Sequence, residues 1–206
     1  MKALPKIKIC GLSRICDIDA VNNAKPEYIG FVFAESRRRV TPAQAAKLRD
    51  KLSPEIIPVG VFVDESPEKI ISVVKSDIIK IIQLHGGETE EYIEKLKSLE
   101  NAPVIKAISV VNPGDVQKWE NSCADYILLD NKGGGTGQVF DWNLIGNINK
   151  PYFLAGGLNT ENIKTAIQKT NPFAVDISSG VETNGLKDVQ KINSIIEAVK
   201  KFNQNI

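Results

Sequence analysis

The residues able to do chemistry fall at or near the ends of short apolar runs. Ile7-Lys8-Ile9-Cys10-Gly11 ends in a free cysteine and a glycine. In a parallel α/β protein the chemistry sits where strands end, so the Cys10 thiol is a candidate base or nucleophile. An isolated cysteine is also a good small buried hydrophobe, and Cys10 carries both readings. Other apolar runs are broken by charge: Lys106 within 104–110, Asp130 closing 126–130, and Asp176 within 174–178. Alternation along a strand sets Lys8 with Cys10, Gln83 with His85, Leu128 with Asp130, and Asp176 with Ser178. An unpaired buried charge is expensive, so Lys8, Lys106, Asp130 and Asp176, if all face inward, must cancel. They form either a satisfied ion-pair network or the floor of an active site that tunes Cys10 and Asp130. Their grouping near strand ends favours the active site.

His85 is the only histidine and closes Gln83-Leu84-His85-Gly86. It reads equally as a hydrogen-bonded structural residue or as part of the site. A metal centre is not expected. Cys10, Cys16, Cys123 and His85 lack zinc-like spacing, and Cys123 precedes its strand, which puts it on the opposite rim.

Anion-binding potential lies in two loops, Leu154-Ala155-Gly156-Gly157-Leu158 and Asp176-Ile177-Ser178-Ser179-Gly180-Val181-Glu182. Small residues there let backbone N–H groups approach an anion, and in barrels the loops after strands seven and eight are the usual phosphate cradle. Arg37-Arg38-Arg39 follows the second run, where a guanidinium could clamp a carboxylate bidentately. The stretch 131–140, with Gly133, Gly134, Gly135 and Gly137, reads as a flap over the site or as a flexible linker.

These residues need a scaffold, and the chain supplies eight apolar runs at 7–10, 28–33, 57–63, 79–85, 104–110, 126–130, 152–155 and 174–178. Most are continuously apolar, as parallel strands covered on both faces should be. Helix-patterned segments follow each: 14–23 after Ser13, 42–51 after Thr41, 67–75 after Ser66, 88–99, 113–120 after Asn112, a turn at 141–145, 159–169 and 187–202. Eight β-then-α units with no composition break predict one (β/α)8 TIM barrel over 1–206. An open doubly wound sheet would carry a Gly-rich nucleotide loop after its first strand, and Cys-Gly-Leu-Ser is not one.

Composition narrows the partners. Twenty-six Lys and Arg against 25 Asp and Glu give a net charge of +1, with no sign of a nucleic-acid partner. Three cysteines without close pairing point to reduced thiols and a cytoplasmic location. No stretch reaches the ~18 apolar residues that span a bilayer, and the N-terminus lacks a secretory h-region, so no membrane partner is expected. No surface stripe stands out from the barrel helices, which leaves monomer and homodimer both open.

Taken together, these motifs resemble the phosphoribosylanthranilate isomerase family of tryptophan biosynthesis. The carriers run in order from Lys8-Ile9-Cys10-Gly11-Leu12 through Gly30-Phe31-Val32-Phe33, Ser36-Arg37-Arg38, Val59-Gly60-Val61-Phe62-Val63 and Gln83-Leu84-His85-Gly86. They continue with Leu128-Leu129-Asp130, Gly134-Gly135-Thr136-Gly137, Phe140-Asp141-Trp142, Ala155-Gly156-Gly157-Leu158 and the segment 173–182. Ser13 stands where the family commonly has threonine, Asn184 where proline often precedes the glycine, and the loop before Arg38 is slightly short. The resemblance implies an Amadori rearrangement of an N-linked aminoaldose phosphate, with Asp130 as general acid and Cys10 as general base. It implies that Arg38 binds the anthranilate carboxylate and that Gly156, Gly157, Ser179 and Gly180 hold the phosphate. Asp176, Ser178 and His85 line the site. Because thiols are mostly protonated at neutral pH, Cys10 is expected to have its pKa lowered, by Lys8 or a helix N-terminus. No cofactor is implied, since the substrate's own nitrogen is the electron sink. The competing readings are another phosphate-binding barrel enzyme, such as the histidine-pathway isomerase or indole-glycerol-phosphate synthase, and a non-catalytic barrel that senses a phosphorylated metabolite. The histidine-pathway isomerase would carry aspartate at the Cys10 position.

Overall fold

The computed structural model describes residues 5–131 and 139–202. Its centre is a closed barrel of eight parallel strands in sequence order, the eighth pairing back onto the first. Strand β1 (Lys6–Cys10) is followed by helix α1 (Ile15–Ala24), β2 (Tyr28–Val32) by α2 (Pro42–Arg49), β3 (Ile57–Phe62) by α3 (Pro67–Lys75), and β4 (Ile81–Leu84) by α4 (Glu90–Leu99). The second half is leaner. Among the described residues, strand β5 (Val104–Ser109) and β6 (Tyr126–Asp130) are each followed by only a 3₁₀ turn, at Gln117–Trp119 and Trp142–Ile145. Strand β7 (Tyr152–Leu154) leads to α5 (Ile163–Thr170), and β8 (Ala174–Ile177) leads through a 3₁₀ turn and a two-rung hairpin to α6 (Val189–Lys201).

Local chemistry explains where the helices start. Thr41 Oγ1 accepts from the Gln44 N–H at 3.2 Å while the Gln44 side chain accepts from the Thr41 N–H at 2.8 Å, a reciprocal cap ahead of Pro42. Asp188 caps α6 by accepting from the Gln190 and Lys191 N–H groups. Helix α1 departs from expectation, because Arg14 and not Ser13 is its N-cap, and the Asp17 carboxylate collects both the Ser13 and Arg14 N–H groups. The expected helix over 113–120 is a larger departure. Gly114 sits at φ +90, and the Asp115 carboxylate takes the Val111 and Asn112 N–H groups, so the chain turns and makes only Gln117–Trp119 as 3₁₀.

Two apolar layers hold the barrel. Ile7, Ile9, Ile29, Phe31, Ile82, Leu84, Ile127, Leu129 and Val175 face outward under the helices. Tyr28, Val59, Ile81, Ile105, Ala107, Leu128, Phe153 and Ala174 face the axis. The lower interior is closed by packed rings: Phe153 meets Tyr28, Tyr126 and Phe173 with centroids 5.5, 5.6 and 5.7 Å away. Lys6 Nζ covers them from below, 4.8 Å from the Phe173 centroid. Above this layer the interior turns polar.

Lys106 does not join that polar interior, which corrects the inward grouping of four charges. The axis-facing set on β5 is Ile105 and Ala107, so Lys106 points the other way. Its Nζ donates to Glu88 Oε2 and to the Gly86 carbonyl, both at 2.7 Å, in a buried pair outside the barrel.

Candidate active site

At the carboxyl ends of the strands the barrel opens into a cavity of about 440 Å³. Cys10, the last residue of β1, and Asp130, the last of β6, both line it. Arg38, His85, Gly156, Gly157, Asp176, Ser178 and Ser179 line the same space. Of the site residues expected from sequence, only Gly180 stands back. A Cβ at Gly180 would lie 1.9 Å from the Leu158 carbonyl oxygen, so it serves the close approach of the β7 and β8 loops and not the wall itself. Gly156 and Gly157 have φ +80 and +64, left-handed backbone that lets the chain turn sharply after β7. The flap expected over 131–140 falls largely at 132–138, outside the described residues.

The cavity floor is a chain of hydrogen bonds. Lys8 and Asp176 occupy one rung of β1 and β8, and Lys8 Nζ donates to Asp176 Oδ2 at 2.9 Å. The same Nζ reaches Gln83 Oε1 on β4 at 2.7 Å. Gln83 Nε2 lies 2.9 Å from His85 Nδ1, and His85 Nε2 lies 3.5 Å from Asp130 Oδ2. Asp130 Oδ1 accepts from the Asn131 N–H at 2.8 Å. Lys8 is fully buried. Burial alone would push its ammonium down, but Asp176 and the neighbouring Cys10 outweigh that and hold it above the ordinary lysine value. Removing one partner of such a pair would strand a charge, at a cost of roughly 3–5 kcal/mol. Asp176 Oδ1 is buried and has no partner among the described residues.

Cys10 behaves differently from expectation. Burial pushes its thiol up, and Lys8 and Lys187 pull it back only in part. The thiol is therefore the resting form at neutral pH, with two cations placed to favour the thiolate when it forms. Gly30 sits beside Cys10 on β2.

Arg38 also departs from the simple clamp. Its Nε and Nη2 already grip Glu182, at 2.6 Å to Oε1 and 2.9 Å to Oε2. Arg37 Nη2 reaches Glu182 Oε2 at 2.7 Å, and Lys187 Nζ reaches Oε1 at 2.6 Å. Burial works against the Glu182 charge, yet Arg38 and Lys187 hold its carboxyl down at about 2. Three cations around one carboxylate leave two positive charges in excess beside the cavity, a field suited to anions. Of the three arginines only Arg38 lines the cavity; Arg39 turns away to Glu35 at 2.6 Å. The guanidinium edge that Glu182 leaves uncovered, Nη1 and the second Nη2 hydrogen, can still take a carboxylate side by side.

Sequence reasoning passed over Glu182 and Lys187 as site residues. Their signal was a pair of opposite charges bracketing the tight hairpin after β8, next to small residues. Ser109 was missed as well, although it shares the axis-facing parity of Ala107 and lines the cavity. No helix among the described residues is long and apolar enough to cross a membrane, and no cluster of three metal-ligating side chains occurs among them.

Comparison with known proteins places this geometry. Residues 7–198 match the family model described as N-(5'phosphoribosyl)anthranilate (PRA) isomerase. The N-(5'-phosphoribosyl)anthranilate isomerase of Clostridium acetobutylicum is 49% identical over 205 residues, covering 96% of this chain and 98% of that protein. The enzyme of the same name from Endomicrobium trichonymphae is 46% identical over 201 residues, with 96% and 98% covered. Among solved structures, phosphoribosyl anthranilate isomerase from Thermotoga maritima superposes with a TM-score of 0.88 at 37% identity, covering 96% of this chain and 100% of that one. A phosphoribosyl anthranilate isomerase solved in complex with reduced 1-(o-carboxyphenylamino)-1-deoxyribulose 5-phosphate gives 0.83 at 35% identity, with the same coverage. With a family match over nearly its whole length and relatives close to half identical, the chain belongs to the phosphoribosylanthranilate isomerase family.

Proposed function

We propose that this barrel converts N-(5′-phosphoribosyl)anthranilate to 1-(2-carboxyphenylamino)-1-deoxyribulose 5-phosphate, with Asp130 as general acid and Cys10 as general base. The observation that carries the assignment is that both groups end strands on one mouth and line one cavity. Asp130 gives its proton to the furanose ring oxygen. The C1′–O bond breaks, the nitrogen lone pair forms the C1′=N bond, and Asp130 is left as carboxylate. Cys10 first loses its own proton to solvent, and the thiolate, favoured by Lys8 and Lys187, then takes the C2′ proton. The C–H electrons become a C1′=C2′ bond, the iminium becomes an amine, and the enolamine relaxes to the ketone. No electrons leave the substrate, so the rearrangement needs no external redox partner.

Binding follows from the surroundings. The phosphate sits at the Gly156-Gly157 and Ser179-Gly180 loops, whose backbone approaches closely. Arg38 holds the anthranilate carboxylate with its uncovered edge. Asp176 Oδ1, buried and without a partner among the described residues, accepts from a sugar hydroxyl, and Ser178, whose Oγ donates to the Cys10 carbonyl at 3.0 Å, steadies the base. A cytoplasmic location belongs to the same reading, because the Cys10 thiol works only while reduced.

The experiment is the fluorescence decay of freshly made phosphoribosylanthranilate on adding the pure protein. Asp130→Asn should abolish turnover while product-analogue affinity stays within about tenfold, since the change removes a proton and keeps the shape. Near-normal turnover in that variant would remove Asp130 from the acid role.

A further inference from the structure

Lys8, Gln83, His85 and Asp130 form a line whose internal logic is directional. Lys8 Nζ is a pure donor, held charged by Asp176, so the Gln83 atom 2.7 Å away must be the oxygen. The Gln83 amide is then fixed, and the atom facing His85 at 2.9 Å is its NH2 group, another donor. His85 Nδ1 must accept, which leaves the ring hydrogen on Nε2, the atom that faces Asp130 Oδ2 at 3.5 Å.

We infer that Gln83 is a positioning residue: through the Lys8-oriented amide it sets His85 in the Nε2–H tautomer and aims that N–H at Asp130. The inference rests on the reading of Asp130 as general acid. When Asp130 hands its proton to the ring oxygen it becomes an anion, and a donor aimed at Oδ2 stabilises the charge as it develops. At 3.5 Å this is a contact that the developing charge can close. The amide link has a second effect. Glutamine does not titrate, so the positive charge beside Cys10 stays on the base side and is not passed along the line to the acid.

The chain's single histidine makes the test clean. In ¹⁵N-histidine-labelled wild type, long-range ¹H–¹⁵N spectra should show a protonated Nε2 and a bare Nδ1 at neutral pH. Gln83→Glu replaces the donor with an acceptor and should move the hydrogen onto Nδ1. It should also lower kcat at least tenfold while KM stays within about threefold. Gln83→Met, which keeps the shape without either polar atom, should lose the single-tautomer signature. A wild-type spectrum with the hydrogen on Nδ1, or with both nitrogens protonated, overturns the inference even if no variant folds. So does a Gln83→Glu enzyme whose tautomer switches with kcat unchanged. If instead Asp130→Asn retains turnover, the acid assignment fails while the tautomer result stands by itself.

Discussion

Gly30 and Cys10 share one rung of the barrel, and the missing side chain of Gly30 is what houses the thiol. A Cβ at Gly30 would stand 2.5 Å from Cys10 Sγ and 3.2 Å from its Cα. The sulfur is the free end of a rotatable side chain, so a methyl group there displaces the Cys10 thiol more than it breaks the fold. Gly30→Ala should lower kcat by at least ~10-fold, since misplacing a reacting group by about 1 Å costs up to 10²-fold. Stability should fall by only about 1–2 kcal/mol, within the range for overpacking. Steady-state kinetics beside urea unfolding separate the two effects.

The upward-shifted Cys10 thiol makes a statement about pH. Its thiolate fraction grows as pH rises and should still be growing at the ordinary cysteine value of 9.0. The thiolate absorbance of a Cys16→Ser, Cys123→Ser variant should therefore show no plateau below about pH 9 in the empty enzyme. Cys10→Ser should cost at least ~10²-fold in kcat, the scale of general-base catalysis. A thiolate plateau near pH 7 would mean that Lys8 and Lys187 prevail over burial.

Glu182 carries the opposite shift and a different readout. Its folded pKa of about 2 lies below the ordinary carboxyl value of 4.5, so its contribution to stability is complete above about pH 4.5. That contribution is lost as pH falls from there towards 2, where the folded carboxyl also takes a proton. Glu182→Gln should flatten the acid limb of the stability curve across that window and destabilise the neutral protein by roughly 2–4 kcal/mol, because Arg38 and Lys187 lose their anion. Urea midpoints measured from pH 2 to 7 check both statements.

Gly180 tests the union of the last two barrel loops. Its added Cβ would meet backbone, the Leu158 carbonyl at 1.9 Å, which cannot swing aside like a side chain. Gly180→Ala should push the loops apart, raise KM at least ~10-fold and weaken inhibition by inorganic phosphate in parallel. A changed kcat with unchanged KM would place the phosphate elsewhere.

Much of this was readable from residue order. Each strand begins and ends within two residues of its apolar run, because a parallel strand covered on both faces needs an unbroken apolar stretch and little else. The same continuity hides phase. Val104, Ile105, Ala107 and Ile108 are apolar on both sides of β5, so nothing in the run says that Lys106 turns outward to Glu88. The segment 113–120 failed for another reason: Asp115 reaching back to two amides beats helix formation, and that competition is settled by a single side-chain rotamer. Cys10, Asp130 and the glycine loops were legible because strand ends and small residues leave a sequence mark. The Glu182 clamp on Arg38 and the net upward pull on Cys10 were not, since both depend on neighbours more than a hundred residues away in the chain or on burial that only the closed barrel creates.

The packed rings of Tyr28, Tyr126, Phe153 and Phe173 give the barrel a bottom, so it is a cup and not a pipe. Substrate and product must share one doorway, and each turnover waits for the vessel to empty. Solvent that would trade protons with Cys10 or Asp130 uses that doorway too.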